Sequence, residues 1–339
     1  MRELGARDVV CTIGESRRIL GHVISDGRDD LDLRKPPRRA VLAAIDTHLD
    51  RQPLEIVDRV KDDFDGFVKL LFRHPDGALT EAVRIPLEKK GRFTACLSSQ
   101  VGCAMRCTFC ATGRLGLTRS LAAWEMVAAF RAVRKDVLSE DPTRHLSGAV
   151  FMGQGEPFHN YDEVIHAARV LSEPCGGRIA QEAITISTVG LVPQIRRYAR
   201  EGHAYRLIVS LTSAIEEKRK TLLPVAGNFT MDEVVEALRE VHAMTKKRVT
   251  LAWVLMRGVN DGDDELAALR ARFAELPIRV NLIDVNDSTG QYERATDPER
   301  SELVGKLGAA GIAVQVRYSG GRNRHAACGM LAARALGAA

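Results

Sequence analysis

From about Arg92 to Arg317 this chain alternates short β-type runs with helical ones, and that alternation restricts the fold more than any other feature. The β-type runs are Phe93–Ser98, Gly148–Met152, Ala183–Thr188, Arg206–Leu211, Arg248–Leu255, Arg279–Val285 and Ile312–Arg317. They are rich in Val, Ile and Thr and are bounded by Gly, Pro or Asn. Amphipathic stretches lie between them. Thr230-Met231-Asp232-Glu233 is a capping box that opens a helix through about Ala243, and Asn160-Tyr161-Asp162-Glu163 opens another. Strand–helix alternation predicts a parallel sheet, open or closed into a barrel. In such folds the chemistry gathers at the carboxyl ends of the strands. Residues 1–90 read as a small N-terminal accessory domain and residues 91–339 as the core. The first part has helical patterns near Ser16–Ile24 and Arg38–Asp50. A β-hairpin follows, from Phe67–Phe72 and Ala82–Pro86 split by His74-Pro75-Asp76-Gly77.

The loop after the first core strand holds Cys103, Cys107 and Cys110, a C-x3-C-x2-C spacing with no obvious fourth ligand. A structural zinc site wants four closed ligands. A redox disulfide needs only C-x-x-C. Three thiolates on one tight loop suit a cubane [4Fe–4S] cluster with one iron left open to a small molecule; the bland alternative is three unrelated thiols. Cys11 and Cys175 read as small buried hydrophobes.

Several polar residues fall at predicted strand ends. In Met152-Gly153-Gln154-Gly155-Glu156-Pro157 the glycines let a ligand approach the backbone, and Glu156 can accept from a ligand ammonium. The alternative is an ordinary strand-to-loop turn. Ser187-Thr188, Ser210-Leu211-Thr212 and Asn286 offer hydroxyls and amides suited to ribose and carboxylate recognition.

Composition sets outer limits. The chain has 339 residues, is 45% hydrophobic and carries a formal net charge of +5. That mild basic bias is compatible with a polyanionic partner. After Glu302 there are Lys306, Arg317, Arg322, Arg324 and Arg334 and no acid. Arg196, Arg197, Arg200 and Arg206 form a second group, and Lys246, Lys247 and Arg248 a third. Each group alone is as readily a solvated helix face. No run of eighteen apolar residues exists and no apolar segment follows Met1, so the expectation is a cytoplasmic protein with no membrane partner.

The cysteine spacing resembles the signature of the radical-SAM superfamily, whose open iron chelates S-adenosylmethionine (SAM). The match extends further. Cys96-Leu97-Ser98-Ser99-Gln100-Val101-Gly102-Cys103, Cys107-Thr108-Phe109-Cys110-Ala111-Thr112-Gly113, Gly153–Pro157, Ser187-Thr188, Ser210-Leu211, Val259-Asn260-Asp261-Gly262, Asn281-Leu282-Ile283 and Ala326-Ala327-Cys328-Gly329 resemble the RlmN/Cfr family of radical-SAM RNA adenine methyltransferases. The resemblance covers roughly residues 66 to 331. It implies a partial (β/α)6-type barrel, one [4Fe–4S] cluster on Cys103, Cys107 and Cys110, and SAM contacts from Gly155, Glu156, Ser187, Ser210, Leu211, Thr212 and Asn286. It makes Cys328 the methyl carrier, Cys96 the residue that resolves the intermediate, and Glu81 the general base. Glu81 reads otherwise as an exposed strand carboxylate. The chain departs from the family pattern at Thr212, where histidine is usual, at Met330, where glutamine is usual, and at Asn286-Asp287, where Asn-Pro is usual.

The implied chemistry has a physical reason. Carbon 2 or carbon 8 of adenine is electron-poor and cannot attack a sulfonium methyl. A thiolate can, so the methyl would first pass to Cys328. A radical drawn from that S-methyl would add to the ring, a base would take the ring proton, and Cys96 would release the product. Ribosomal or transfer RNA is the implied substrate, an electron donor such as flavodoxin or ferredoxin the implied partner, and a monomer the implied state. Two rival readings remain: a radical-SAM enzyme acting on a peptide or small molecule, and a non-catalytic iron–sulfur or zinc protein.

Overall fold

The computed structural model describes residues 11–28, 30–48, 54–225, 228–287, 289–317, 320, 327 and 329–331. One 10-stranded sheet organises them, in the order β1-β2-β3-β4-β7-β8-β9-β10-β11-β12, with β1 and β12 as its edges. Its core strands are β4 (Arg92–Leu97), β7 (His145–Phe151), β8 (Ile184–Thr188), β9 (Arg206–Ser210), β10 (Val249–Leu255), β11 (Ile278–Asp284) and β12 (Ala313–Arg317), and among these seven every pairing is parallel. Parallel pairing forces a crossover between strands. The crossovers carry helices α4 (Ala123–Glu140), α5 (Tyr161–Ser172), α6 (Val192–Glu201), α7 (Glu216–Leu222), α8 (Met231–Thr245), α9 (Asp263–Arg272) and α10 (Asp297–Ala309).

The hairpin expected from residues 67–86 forms as β2 (Val68–Arg73) and β3 (Leu79–Pro86), preceded by β1 (Glu55–Lys61). It joins the same sheet: β3 pairs antiparallel with β4, setting Val83 opposite Cys96 and Ala82 opposite Leu97. Helices α1 (Ile13–Leu20) and α2 (Arg39–His48) share a small core of Ile19, Val41, Ala44 and Ile45, against which Cys11 packs half-buried. Cys175 is likewise half-buried rather than a core residue.

The two faces of the sheet differ. On one, Leu70, Ala82, Ala95, Leu97, Ala149, Phe151, Ile184, Ile186, Leu251 and Leu282 merge with the helices into the main core. The alternation of strand side chains sends the next residues to the opposite face. Among the described residues, that face holds two small apolar clusters. One is Phe67, Val83, Cys96 and Leu331, and the other is Ile208, Ala252 and Ile283.

The caps follow the sequence. Thr230 accepts from the Glu233 N–H while Glu233 reaches back to the Thr230 N–H, and Thr296 and Glu299 repeat the arrangement. Asn160 begins α5 as expected but does not cap it. Its Nδ2 donates instead to the carbonyls of Ser99 and Leu121, at 2.9 and 2.7 Å. The side chain serves the cysteine loop, not its own helix. No helix among the described residues is long and apolar enough to cross a membrane.

Candidate active site

The cysteine loop is built between β5 (Gln100–Gly102) and β6 (Leu117–Ser120), with the short helix α3 (Ala111–Arg114) inside it. Gly102 makes this closure possible. Its φ is +75°, and a Cβ there would collide with the Gly116 carbonyl oxygen, which accepts from Cys103 N–H at 2.7 Å. Thr108 N–H donates to the Leu222 carbonyl at 3.1 Å, and Ala111 N–H to the Gly329 carbonyl at 2.8 Å. The loop is thus held from α7 on one side and from the chain's last described segment on the other.

Cys103 and Cys107 are buried and Cys110 half-buried, with no disulfide among them. Burial pushes the Cys103 thiol up to about 12, and Cys107 is raised by burial and then by the neighbouring Cys110 and Cys103 sulfurs. Three mutually repelling, desolvated sulfurs need a cationic group to become thiolates. No set of three metal-binding side chains among the described residues is gathered closely enough to grip a single ion. Ligands of one zinc sit about 2.3 Å from the metal, so their sulfurs nearly touch. Three thiols on one tight loop suit a cubane cluster with one iron left open.

Glu156, just beyond β7, is 3% exposed. Its Oε1 accepts from Phe158 N–H and its Oε2 from Val189 N–H, both at 2.9 Å. Burial outweighs these bonds and pushes its carboxyl up to about 7. A carboxylate can accept about four hydrogen bonds, so capacity for a ligand ammonium remains. Gly155 carries a φ of +98°, and a Cβ there would lie 2.6 Å from the Gln100 side chain.

Ser187 and Ser210 end β8 and β9 on the same face as Cys96, as the register shows: Cys96 pairs with Val150, Val150 with Thr185, Ser187 with Ile208, and Ser210 with Ala252. Leu211 is buried in the main core, so only its backbone can serve a ligand. Thr212 is fully buried with φ +60°, a left-handed conformation rare for a β-branched residue. Its carbonyl accepts from Asn260 Nδ2 at 2.6 Å, while its Oγ1 has no partner. Gln154 Nε2 and Asn281 Oδ1 are also buried without partners. Buried polar atoms are normally bonded, and orphans of this kind mark places where a polar ligand completes the set. Asn286 is buried and donates to the Asp284 carbonyl at 3.2 Å.

Glu81 is not the exposed carboxylate that its strand position allowed. It is 1% exposed, and its Oε1 lies 2.8 Å from Lys69 Nζ. It shares a face with Cys96, because Glu81 and Val83 stand two residues apart on β3 and Val83 pairs with Cys96. Cys328 lies outside the described residues, as do Arg322, Arg324 and Arg334. On either side of position 328, Ala327 is buried and the Leu331 carbonyl accepts from Thr112 Oγ1 at 2.7 Å.

Sequence reasoning missed a clasp on the loop's outer side. Asp287 stands where the family pattern has proline. It accepts from Arg114 Nη2 at 2.8 Å and from the N–H groups of Thr289, Gln291 and Tyr292, while Tyr292 Oη meets Thr108 Oγ1 at 2.7 Å. Burial opposes its charge, but Arg114 and these N–H groups hold its carboxyl well below the usual range. No spacing in the sequence marks Arg114 and Asp287, 173 residues apart, as neighbours. The arginine group at 196–206 is likewise not one patch. Arg196 pairs with Glu240 and Arg197 with Asp162 and Glu201 on helix surfaces. Arg206 begins β9, on the face of Ile208 and Ser210.

The comparisons agree with this geometry. The radical SAM superfamily model matches residues 97–269. A probable RNA methyltransferase of Anaeromyxobacter sp. (strain Fw109-5) is 48% identical over 97% of this chain and 96% of its own length. The dual-specificity RNA methyltransferase RlmN 2 of Myxococcus xanthus (strain DK1622) is 37% identical over 84% of this chain and 76% of its own. Among solved structures, a radical SAM methyltransferase from Sphaerobacter thermophilus superposes with a TM-score of 0.90 at 36% identity, covering 98% of this chain and 96% of that one. This chain belongs to the radical SAM superfamily and, within it, to the methyltransferase family that includes RlmN.

Proposed function

We propose that this enzyme methylates an adenine ring carbon, carbon 2 or carbon 8, of ribosomal or transfer RNA by way of an S-methylcysteine. The observation that carries the reading is the sheet face on which Cys96 and the buried Glu81 stand together, beside the loop of Cys103, Cys107 and Cys110. Other radical-SAM reactions have no need of that pair.

Cys103, Cys107 and Cys110 would hold one [4Fe–4S] cluster. Glu156, the Gly155 backbone, Ser187, Ser210, the Leu211 backbone, Thr212 and Asn286 would line the SAM site. Bound there, the two groups supply a hydrogen-abstracting 5′-deoxyadenosyl radical. The chain's own residues do the rest. Cys328 accepts a methyl by displacement at the sulfonium. Glu81 takes the ring proton once the carbon–carbon bond has formed. The Cys96 thiolate then attacks the Cys328 sulfur: a sulfur–sulfur bond replaces the sulfur–carbon bond, the freed methylene takes a proton to become the methyl group, and the odd electron left by the radical addition returns to the electron donor as the methylated base departs. The target base must leave its stack to reach this face. A flavodoxin- or ferredoxin-type donor supplies electrons, and the enzyme acts as a cytoplasmic monomer. Residues 1–90 serve as the accessory part, whose β2–β3 hairpin extends the core sheet and brings Glu81 to the site, and residues 91–339 as the rest of the catalytic core.

Mass spectrometry of digested RNA from a gene-deleted and a complemented strain tests the proposal. Methyladenosine that is lost on deletion and restored on complementation supports it. Unchanged RNA alongside a modified peptide or small molecule would favour the rival reading.

A further inference from the structure

Lys69 and Glu81 form a buried ion pair that SAM binding and cluster binding leave unexplained. Their side chains lie 2.8 Å apart, and the residues are 3% and 1% exposed. Burying two charges costs several kcal/mol per ion before their attraction offsets it, and apolar replacements of similar size are often as stable. A pair kept at such a position calls for a use other than stability.

Its placement supplies one. Lys69 pairs across β2–β3 with Val83, and Val83 pairs across β3–β4 with Cys96, so one cross-strand row runs from the lysine to the resolving cysteine. Glu81 occupies the next position on the same face. Its main chain is fixed from two sides: Ser98 Oγ donates to the Glu81 carbonyl at 2.6 Å, and the Glu81 N–H donates to Gln154 Oε1 at 3.2 Å. With the backbone clamped, Lys69 Nζ is a further hold on the carboxylate itself. A different buried pair of this region, Arg84 with Asp136 at 2.7 Å, joins β3 to α4 on the opposite, core-packed face.

We propose that Lys69 is a positioning residue of the methyl transfer: its Nζ holds the Glu81 carboxylate aimed for removal of the ring proton. This rests on the reading of Glu81 as the base. A carboxylate buried without a cation is destabilised in its charged, proton-accepting form. Lys69 acts through its contact with Glu81, so its effect should be seen in the step that Glu81 performs.

The test compares wild type, Lys69→Met, Lys69→Gln, Lys69→Arg and Glu81→Gln as anaerobically reconstituted full-length proteins acting on RNA from the deleted strain. Lys69→Gln keeps a hydrogen-bond donor without the charge, and covers the case in which Lys69→Met does not fold. Iron content and SAM binding by equilibrium dialysis should match wild type in all of them. Methyladenosine formation should fall at least about tenfold in Lys69→Met and Lys69→Gln, and by no more than the ~10²–10⁴ expected for loss of the positioned base itself. RNA should accumulate instead as a covalent protein–RNA species, as in Glu81→Gln, because a ring that keeps its proton stays joined through the sulfur–carbon bridge. Lys69→Arg should recover most of the product. A merely structural lysine would lower iron content or SAM binding and would not shift RNA from product to adduct. The inference is overturned if wild type methylates and Lys69→Gln divides RNA between product and adduct as wild type does. Absence of methyladenosine from wild type itself overturns the proposed function and the inference together.

Discussion

Glu156 keeps a carboxyl group where its charge is disfavoured. Its ordinary value is 4.5, and burial pushes it to about 7 in the fold. Between those values the folded state holds a proton that the unfolded chain has released. Its contribution to stability is therefore fully present below pH 4.5 and lost as pH rises through 7. Glu156→Gln cannot titrate there. Urea unfolding of the cluster-free protein should show the variant gaining on wild type by on the order of 3 kcal/mol across that window. A pH-independent difference would mean that the side chain is not held as described. With the cluster loaded, Glu156→Ala should weaken SAM binding without loss of iron. The two outer cysteines make a second residue-scale prediction. Cys328→Ala should give neither methylated base nor RNA adduct, having lost the methyl acceptor. Cys96→Ala should accumulate a nuclease-sensitive protein–RNA species, because nothing then breaks the sulfur–carbon bridge. Normal turnover by Cys96→Ala would exclude the two-cysteine route. At this scale the sequence showed residue identities well and environments poorly. Glu81 could be proposed as a base, but only pairing across β2–β4 shows that it is buried against Lys69 and shares a face with Cys96.

Among the elements, the cysteine loop depends on one residue without a side chain. Gly102→Ala would drive a methyl group into the Gly116 carbonyl and oppose the positive φ as well. A strained backbone of this kind costs on the order of 1–3 kcal/mol even before the clash. The loop packs on the main core through Cys103, Met105 and Cys107 but gives no strand to the ten-stranded sheet, so the fold should survive. Far-UV circular dichroism should be unchanged while iron incorporation falls at least severalfold. Full iron loading of Gly102→Ala would show that the loop closes differently. The strands and the helix at Thr230 were legible because Val-, Ile- and Thr-rich runs bounded by Gly, Pro or Asn and a capping box are local signals. The role of Asn160 was not. A helix-opening Asn ordinarily caps, and only the approach of the Ser99 and Leu121 carbonyls diverts it. Asp287 is the same case: a replacement for proline turns out to tie its own loop to the cysteine loop through Arg114.

For the whole molecule the chief long-range property is charge. The net +5 is modest, and part of it is neutralised locally, as Arg196 and Arg197 show. RNA affinity should fall with salt, with log affinity linear in log salt concentration. Replacing Arg322 and Arg324 with Gln should flatten that slope by about 0.7–0.9 for each phosphate that is no longer neutralised. An unchanged slope would move the RNA-binding surface elsewhere. By itself the sequence determined the strand–helix alternation, the three-thiol loop at the end of the first core strand, and the family these residues resemble. Each of these is written in consecutive residues or short spacings. The tertiary structure alone decided which face each strand shows, that Glu81 is buried with Lys69, that the hairpin extends the core sheet, and that Arg206 parts company with Arg196 and Arg197. Those outcomes depend on register between distant strands and on desolvation, and a one-residue change of register would send every side chain to the other face.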